Sequence, residues 1–118
     1  ECAYPGYYGL ELPDQGISIE LTGTERVGIH RYKFKDSDSP AIFIDITHAL
    51  GGKISEDGYL RIVDKQKLEG HVRTFGSFAG RYGGIKVYFA ARFPTPFSDH
   101  KIWANFQIFC HFAFLQFR

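Results

Sequence analysis

The sequence predicts an all-β fold, an antiparallel sandwich or barrel. Three observations lead there. Aromatic residues make up 17% of the chain, with twelve Phe and seven Tyr, and such residues favour strands. Apolar residues recur with a period of two in several runs, while no window shows a convincing helical period of 3.6. Breaks rich in Gly, Pro and Asp separate the runs at hairpin spacing.

Taken in order, the segment Pro13-Asp14-Gln15-Gly16 links a first strand to a second. In the second, Ile17, Ile19 and Leu21 alternate with Ser18, Glu20 and Thr22, the pattern of a half-buried strand. Its neighbour, Arg26 to Phe34, changes parity: Val27 and Ile29 lie on one side, Tyr32 and Phe34 on the other. A regular strand with one buried face cannot do this. The expectation is either a bulge between Gly28 and Arg31 or coverage of both faces, as in an inner strand or at a neighbouring domain.

Asp36-Ser37-Asp38-Ser39-Pro40 forms the next turn, and Ile42, Ile44 and Ile46 the next strand. Gly51-Gly52 and Asp57-Gly58 supply positions that tolerate positive φ. The glycines from Gly76 to Gly84 suit a turn ahead of the clearest alternation, Ile85, Val87, Phe89, Ala91 and Phe93. The run from Ile102 to Arg118 is almost continuously apolar, with five Phe and one Trp. It reads as a central strand, as a segment buried by further chain, or as a stretch outside the native frame. Left in water it would be an aggregation hazard.

At 118 residues the chain suits one domain with one core. Its 44% hydrophobic and 23% charged composition is that of a globular protein. A formal net charge of +1 offers no basic excess for nucleic acid, and no apolar run reaches the ~20 residues of a membrane helix. The opening Glu1-Cys2-Ala3 has no signal-peptide pattern and the chain has no Met. A processed product, a piece of something longer and a cloning boundary all fit that. Cys2 and Cys110 are either one disulfide or two free thiols.

Chemical motifs are sparse. Of His30, His48, His71, His100 and His111, none pairs at zinc spacing. Asp36-Ser37-Asp38 lacks the central Gly and closing Glu of a calcium loop and reads as a solvated turn. The glycine-rich Gly76-Ser77-Phe78-Ala79-Gly80 has no phosphate-loop ending, and Ser77 does not sit in Gly-x-Ser-x-Gly. Hydrolysis of a glycosidic bond calls for two carboxyls across a sugar. Glu20, Glu25, Asp45, Glu56 and Asp57 are available, but the sequence pairs none of them. Tyr32, Tyr82, Tyr88 and Trp103 suit either sugar stacking or core packing.

The segment from Tyr4 to Phe34 carries Pro5-Gly6-Tyr7-Tyr8, Gly16-Ile17, Glu20-Leu21-Thr22-x-Thr24 and Arg26-x-Gly28-x-His30-Arg31-Tyr32-x-Phe34. In order and spacing it resembles a signature of the N-terminal domain of glycoside hydrolase family 92 α-mannosidases. The stretches from Ala41 to Leu50 and from Val87 to Phe97 are similar to later strands of that domain. The resemblance covers residues 4 to 97, and it is loose between Arg73 and Gly84. It implies that residues 1-98 are part of an incomplete N-terminal β-sandwich, with 99-118 an apolar tail, strand or non-native boundary.

The resemblance further implies a parent enzyme that is a calcium-dependent, inverting, exo-acting α-mannosidase. Its catalytic carboxylates and calcium ligands would belong to an (α/α)6 domain of the same polypeptide. No catalytic or metal residue is then expected in this chain, and no cofactor. Tyr82, Trp103 and Arg73 are its candidate carbohydrate contacts. The expected partners are that helical domain and a mannose-containing glycan, with neither nucleic acid nor membrane; the expected location is secreted or periplasmic. The alternatives are a free-standing carbohydrate-binding or adhesion sandwich, and an interaction module whose apolar tail joins a partner.

Overall fold

A computed structural model describes residues 1–35, 37–48, 55–76, 79–105 and 110–117. These form ten antiparallel strands in two compact units, residues 1–38 and 39–118. The expected all-β class is what the chain adopts.

The first unit is a four-stranded sheet in the order β1 (Cys2–Tyr4), β2 (Tyr7–Leu12), β3 (Ile17–Gly23), β4 (Gly28–Phe34). Each hairpin follows from local chemistry. Gly6 turns the chain at φ 81°. Pro13–Gln15 form a single 3-10 turn that ends at Gly16 with φ 64°, where the Gly16 N–H donates to the Pro13 carbonyl. Left-handed backbone of this kind is cheap only for glycine. Cross-strand register then sorts the side chains. Tyr8, Leu10 and Leu12 share a face with Leu21, Ile19 and Ile17, and with His30, Tyr32 and Phe34. The opposite face carries Tyr7, Glu11, Ser18, Glu20, Arg31 and Lys33.

The parity change in β4 does not come from a bulge, one of its two expected causes. The β3–β4 ladder runs unbroken from Gly23–Gly28 to Ile17–Phe34, with no bulge. Val27 lies in the turn before β4, and Ile29 points from the polar face and is 56% exposed. The strand therefore has one apolar side, and Ile29 is an ordinary exposed apolar residue of the kind protein surfaces carry.

The second unit holds two three-stranded sheets. One has the order β5 (Ala41–Asp45), β10 (Cys110–Gln116), β9 (Asp99–Asn105); the other β6 (Ser55–Asp64), β7 (Lys67–Thr74), β8 (Ile85–Arg92). Their inner faces meet in a shared core. Leu60 and Leu68 from one sheet pack with Leu115 from the other and with Phe97 between them, while Ile44, Ile46, Ile62, Phe89 and Phe93 close the margins. Leu68 and Leu115 are fully buried; burial of such side chains stabilises by about 1.5–3 kcal/mol each.

The Lys65–Gln66 hairpin turn holds the crossing from β8 to β9. Its carbonyls accept the N–H groups of Phe93 and Phe97, and the Gln66 side-chain amide donates to the Phe93 and Pro94 carbonyls. This grip seats Phe97 in the core. The apolar run after Ile102 supplies the end of β9 and all of β10, and β10 is the central strand of its sheet. Leu115 is its buried anchor.

Two sequence expectations need correction here. Asp57-Gly58 lies inside β6 rather than between strands: the β6–β7 register shifts between Glu56 and Tyr59, so the pair forms a bulge, and Asp57 itself takes the positive φ of 51°. The alternation of β8 is only half used. Phe89 and Ala91 face the core, while Ile85 and Val87 are exposed. Gly51-Gly52, Ser77 and Asp36 lie outside the described residues.

Candidate functional site

The outer face of the β6–β7–β8 sheet gathers the polar and aromatic groups of the second unit. Register places Tyr59, His71 and Tyr88 in one row across the three strands. Their rings touch: Tyr59 and His71 stack with centroids 5.5 Å apart, and His71 and Tyr88 are tilted at 5.3 Å. Such contacts add about 0.5–1.5 kcal/mol beyond area burial for aromatic pairs. Tyr59 and Tyr88 remain exposed. One row along, Arg73 lies opposite Glu56 on one side and Lys86 on the other. On the far side, Glu69 pairs with Arg61 and, at 3.8 Å, with Lys67.

Arg73 ties this face to the loop before β8. The β6 bulge turns the Asp57 carboxylate toward it, leaving 3.5 Å between Asp57 Oδ2 and Arg73 Nε. Arg73 Nη1 donates to the Gly83 carbonyl at 3.3 Å. Its Nε is buried and makes no hydrogen bond of its own; the Asp57 contact is an ion pair without hydrogen-bond geometry. The loop is shaped for this approach. Ala79–Tyr82 form a 3-10 turn, Gly83 and Gly84 follow at φ 76° and 84°, and a Cβ on Gly84 would stand 2.9 Å from both Arg73 Cγ and the Phe75 ring. Gly84 is thus required both by its backbone and by the space Arg73 occupies.

The three sequence-predicted sugar contacts separate into two places. Arg73 bonds the Gly83 carbonyl, next in sequence to Tyr82, and Tyr82 itself is 85% exposed. Trp103 stands on β9 of the other sheet, 38% exposed, with the Lys101 ammonium 5.2 Å above its ring, a cation–π distance. Tyr59 and His71 belong to the face but were not singled out from sequence. The signal that finds them is register, since three strands must be aligned before 59, 71 and 88 form a line.

Three of the carboxylates considered for chemistry, Asp45, Asp57 and Glu20, are engaged locally. Asp45 Oδ1 accepts from the Thr47 N–H, the Thr47 hydroxyl and the His48 N–H, closing the turn after β5. Asp57 serves Arg73 as described. Glu20, in the first unit, accepts from the Tyr7 hydroxyl and from Arg31 Nε. Arg31 holds the Glu20 carboxyl below its ordinary range, with Tyr7 and Lys33 adding to the effect against the opposing cost of desolvation. Tyr7 moves the other way, raised by desolvation and by the Glu20 carboxylate beside it. Among the described residues no group of three or more His, Cys, Asp or Glu side chains is placed to hold a metal. Cys2 is a free, exposed thiol; the Cys110 side chain lies outside the described residues.

The fold and its surface define a β-sheet domain that offers an aromatic and cationic face. Residues 1–110 match the family model of the glycosyl hydrolase family 92 N-terminal domain. The chain belongs to that family. No curated protein matches it.

Proposed function

We propose that this chain is non-catalytic scaffold: sandwich-domain structure of a calcium-dependent, inverting exo-α-mannosidase that acts on glycans. The family match over residues 1–110 carries this reading. The local engagement of Glu20, Asp45 and Asp57 supports it, because a carboxylate fixed in a turn or an ion pair is poorly placed for acid–base work on a sugar. Inversion needs two carboxyls about 6.5–9.5 Å apart with water between them. In this proposal those groups, and the calcium, belong to an (α/α)6 domain of the same polypeptide, and the location is secreted or periplasmic. Arg73, Tyr82 and Trp103 are proposed to contact glycan beside that domain.

The test compares this chain with the longer polypeptide on an aryl α-mannoside. The expected result is no cleavage by the 118 residues, and cleavage by the longer protein that stops on calcium chelation, with β-mannose as the first product seen by NMR. Cleavage by the chain alone overturns the scaffold reading, and first-formed α-mannose overturns inversion.

The exposed Tyr59–His71–Tyr88 row favours a second reading, a carbohydrate-binding sandwich that works without catalysis. Saturable glycan binding by the chain, with no cleavage by any longer form, would select it.

A further inference from the structure

The polar face of the first sheet contains a hollow of about 300 Å³. Register explains it. Cys2, Gly9, Glu20 and Arg31 form one row across β1 to β4, flanked on one side by Tyr4, Tyr7 and Thr22 and on the other by Glu11, Ser18 and Lys33. Gly9 contributes no side chain to its row, and the Tyr7 ring reaches into part of the space this leaves. Tyr7 leans from the neighbouring row over this gap: its hydroxyl oxygen lies 3.0 Å from where a Gly9 Cβ would be and donates to Glu20 Oε1 at 3.1 Å. Tyr4 stacks on Tyr7 with centroids 4.7 Å apart and stays exposed.

The rim alternates acceptors and donors. Glu11 accepts from the Ser18 hydroxyl at 2.7 Å. Glu20 is held by Tyr7 and Arg31. Lys33, opposite Ser18, faces Glu20 closely enough to lower its carboxyl pKa. An anion would meet the Glu11 and Glu20 carboxylates, and a small cation would compete with Arg31 and Lys33 for them. A neutral molecule with adjacent hydroxyls fits both, since each hydroxyl donates to a carboxylate and accepts from an ammonium. The aromatic body of Tyr7, which lines the hollow, offers an apolar surface to the molecule's C–H groups.

We propose that this hollow is a second, non-catalytic binding site for a single pyranose unit of a glycan. The choice of sugar as ligand rests on the family reading above; the residues that line the hollow all belong to the first unit, and none of them is part of the Arg73 face.

The test is a titration of the isotopically labelled chain, followed by amide NMR, with methyl α-mannopyranoside and methyl α-glucopyranoside, and with choline and inorganic phosphate as charged controls. The expected result is saturable shifts at Gly9, Ser18 and Glu20 with at least one glycoside and none with either control. Lys33→Ala and Glu11→Gln, both at exposed positions, should each weaken binding by about tenfold, the scale of one hydrogen bond to a charged group. Lys65→Ala, in the hairpin turn of the second unit, should leave it unchanged. Absence of saturable shifts with both glycosides overturns the proposal, as do shifts untouched by the two rim variants or binding of choline or phosphate instead. Because the readout is binding by the chain alone, failure here is distinct from failure of the longer protein to cleave a mannoside.

Discussion

At Gly70 an added Cβ would stand 2.4 Å from the Tyr59 carbonyl oxygen and 3.0 Å from the Phe89 ring. The first of these is backbone inside a paired strand, so it cannot swing aside. Gly70→Ala is expected to destabilise by about 1–3 kcal/mol, the usual cost of overpacking, read as a lower denaturant midpoint at unchanged slope. Leu68→Ala acts oppositely, by leaving a cavity in the same sheet, and should cost about 2–5 kcal/mol. Glu20 makes a prediction of another kind. Its folded pKa is lowered, so its contribution is present above the ordinary carboxylate range and is lost as pH falls through the lowered folded value. Acid unfolding followed at the first sheet should show this loss in the native chain and lack it in Glu20→Gln. Equal acid sensitivity in both would place the pH response elsewhere.

Strands β3 and β10 show what the sequence can and cannot reveal about an element. The alternation in β3 is legible because one face is apolar and the other polar, so period two is written directly into Ile17 to Thr22. The run from Ile102 to Phe117 has no Gly or Pro to divide it, and the hairpin of β9 and β10 is hidden for that reason. A central strand flanked on both edges reads as continuous apolar sequence. The β6 bulge was obscured differently. Asp-Gly is a hairpin signal, and only pairing with β7 shows that the chain continues as a strand with Asp57 in the left-handed region. The candidate face was legible in part: Arg73 and the loop that carries Tyr82 lie in one stretch of sequence and are joined by the Arg73 bond to the Gly83 carbonyl, whereas the Tyr59–His71–Tyr88 row requires register. The bulge also supplies a test. Asp57→Val places a β-branched side chain at φ 51° and removes the carboxylate facing Arg73. Left-handed backbone costs about 1–2 kcal/mol for an ordinary residue, so the variant should unfold at lower denaturant, and Asp57→Gly should lose less.

Across the whole molecule, burial is uneven. The fully buried side chains among the described residues, Phe97, Leu68 and Leu115, all belong to the second unit. The apolar face of the first sheet, from Leu10 and Ile19 to Tyr32, holds no fully buried side chain: Leu10 and Ile19 are partly buried and Tyr32 is 37% exposed. Local stability follows buried apolar contact, and backbone hydrogen bonds over a thin core open more readily. Native-state hydrogen exchange should therefore find the slowest amides in β7 and β10, where Leu68 and Leu115 anchor two facing sheets, and faster exchange throughout β1 to β4. The scaffold proposal adds a second expectation. An apolar sheet face of this extent is normally covered, so in the longer polypeptide the amides of β2 and β3 should slow by more than those of β7. Uniform exchange across both units would show that the first sheet draws its stability from something other than buried side chains. Unchanged protection of β2 and β3 in the longer protein would remove that face as the surface on which the rest of the enzyme rests.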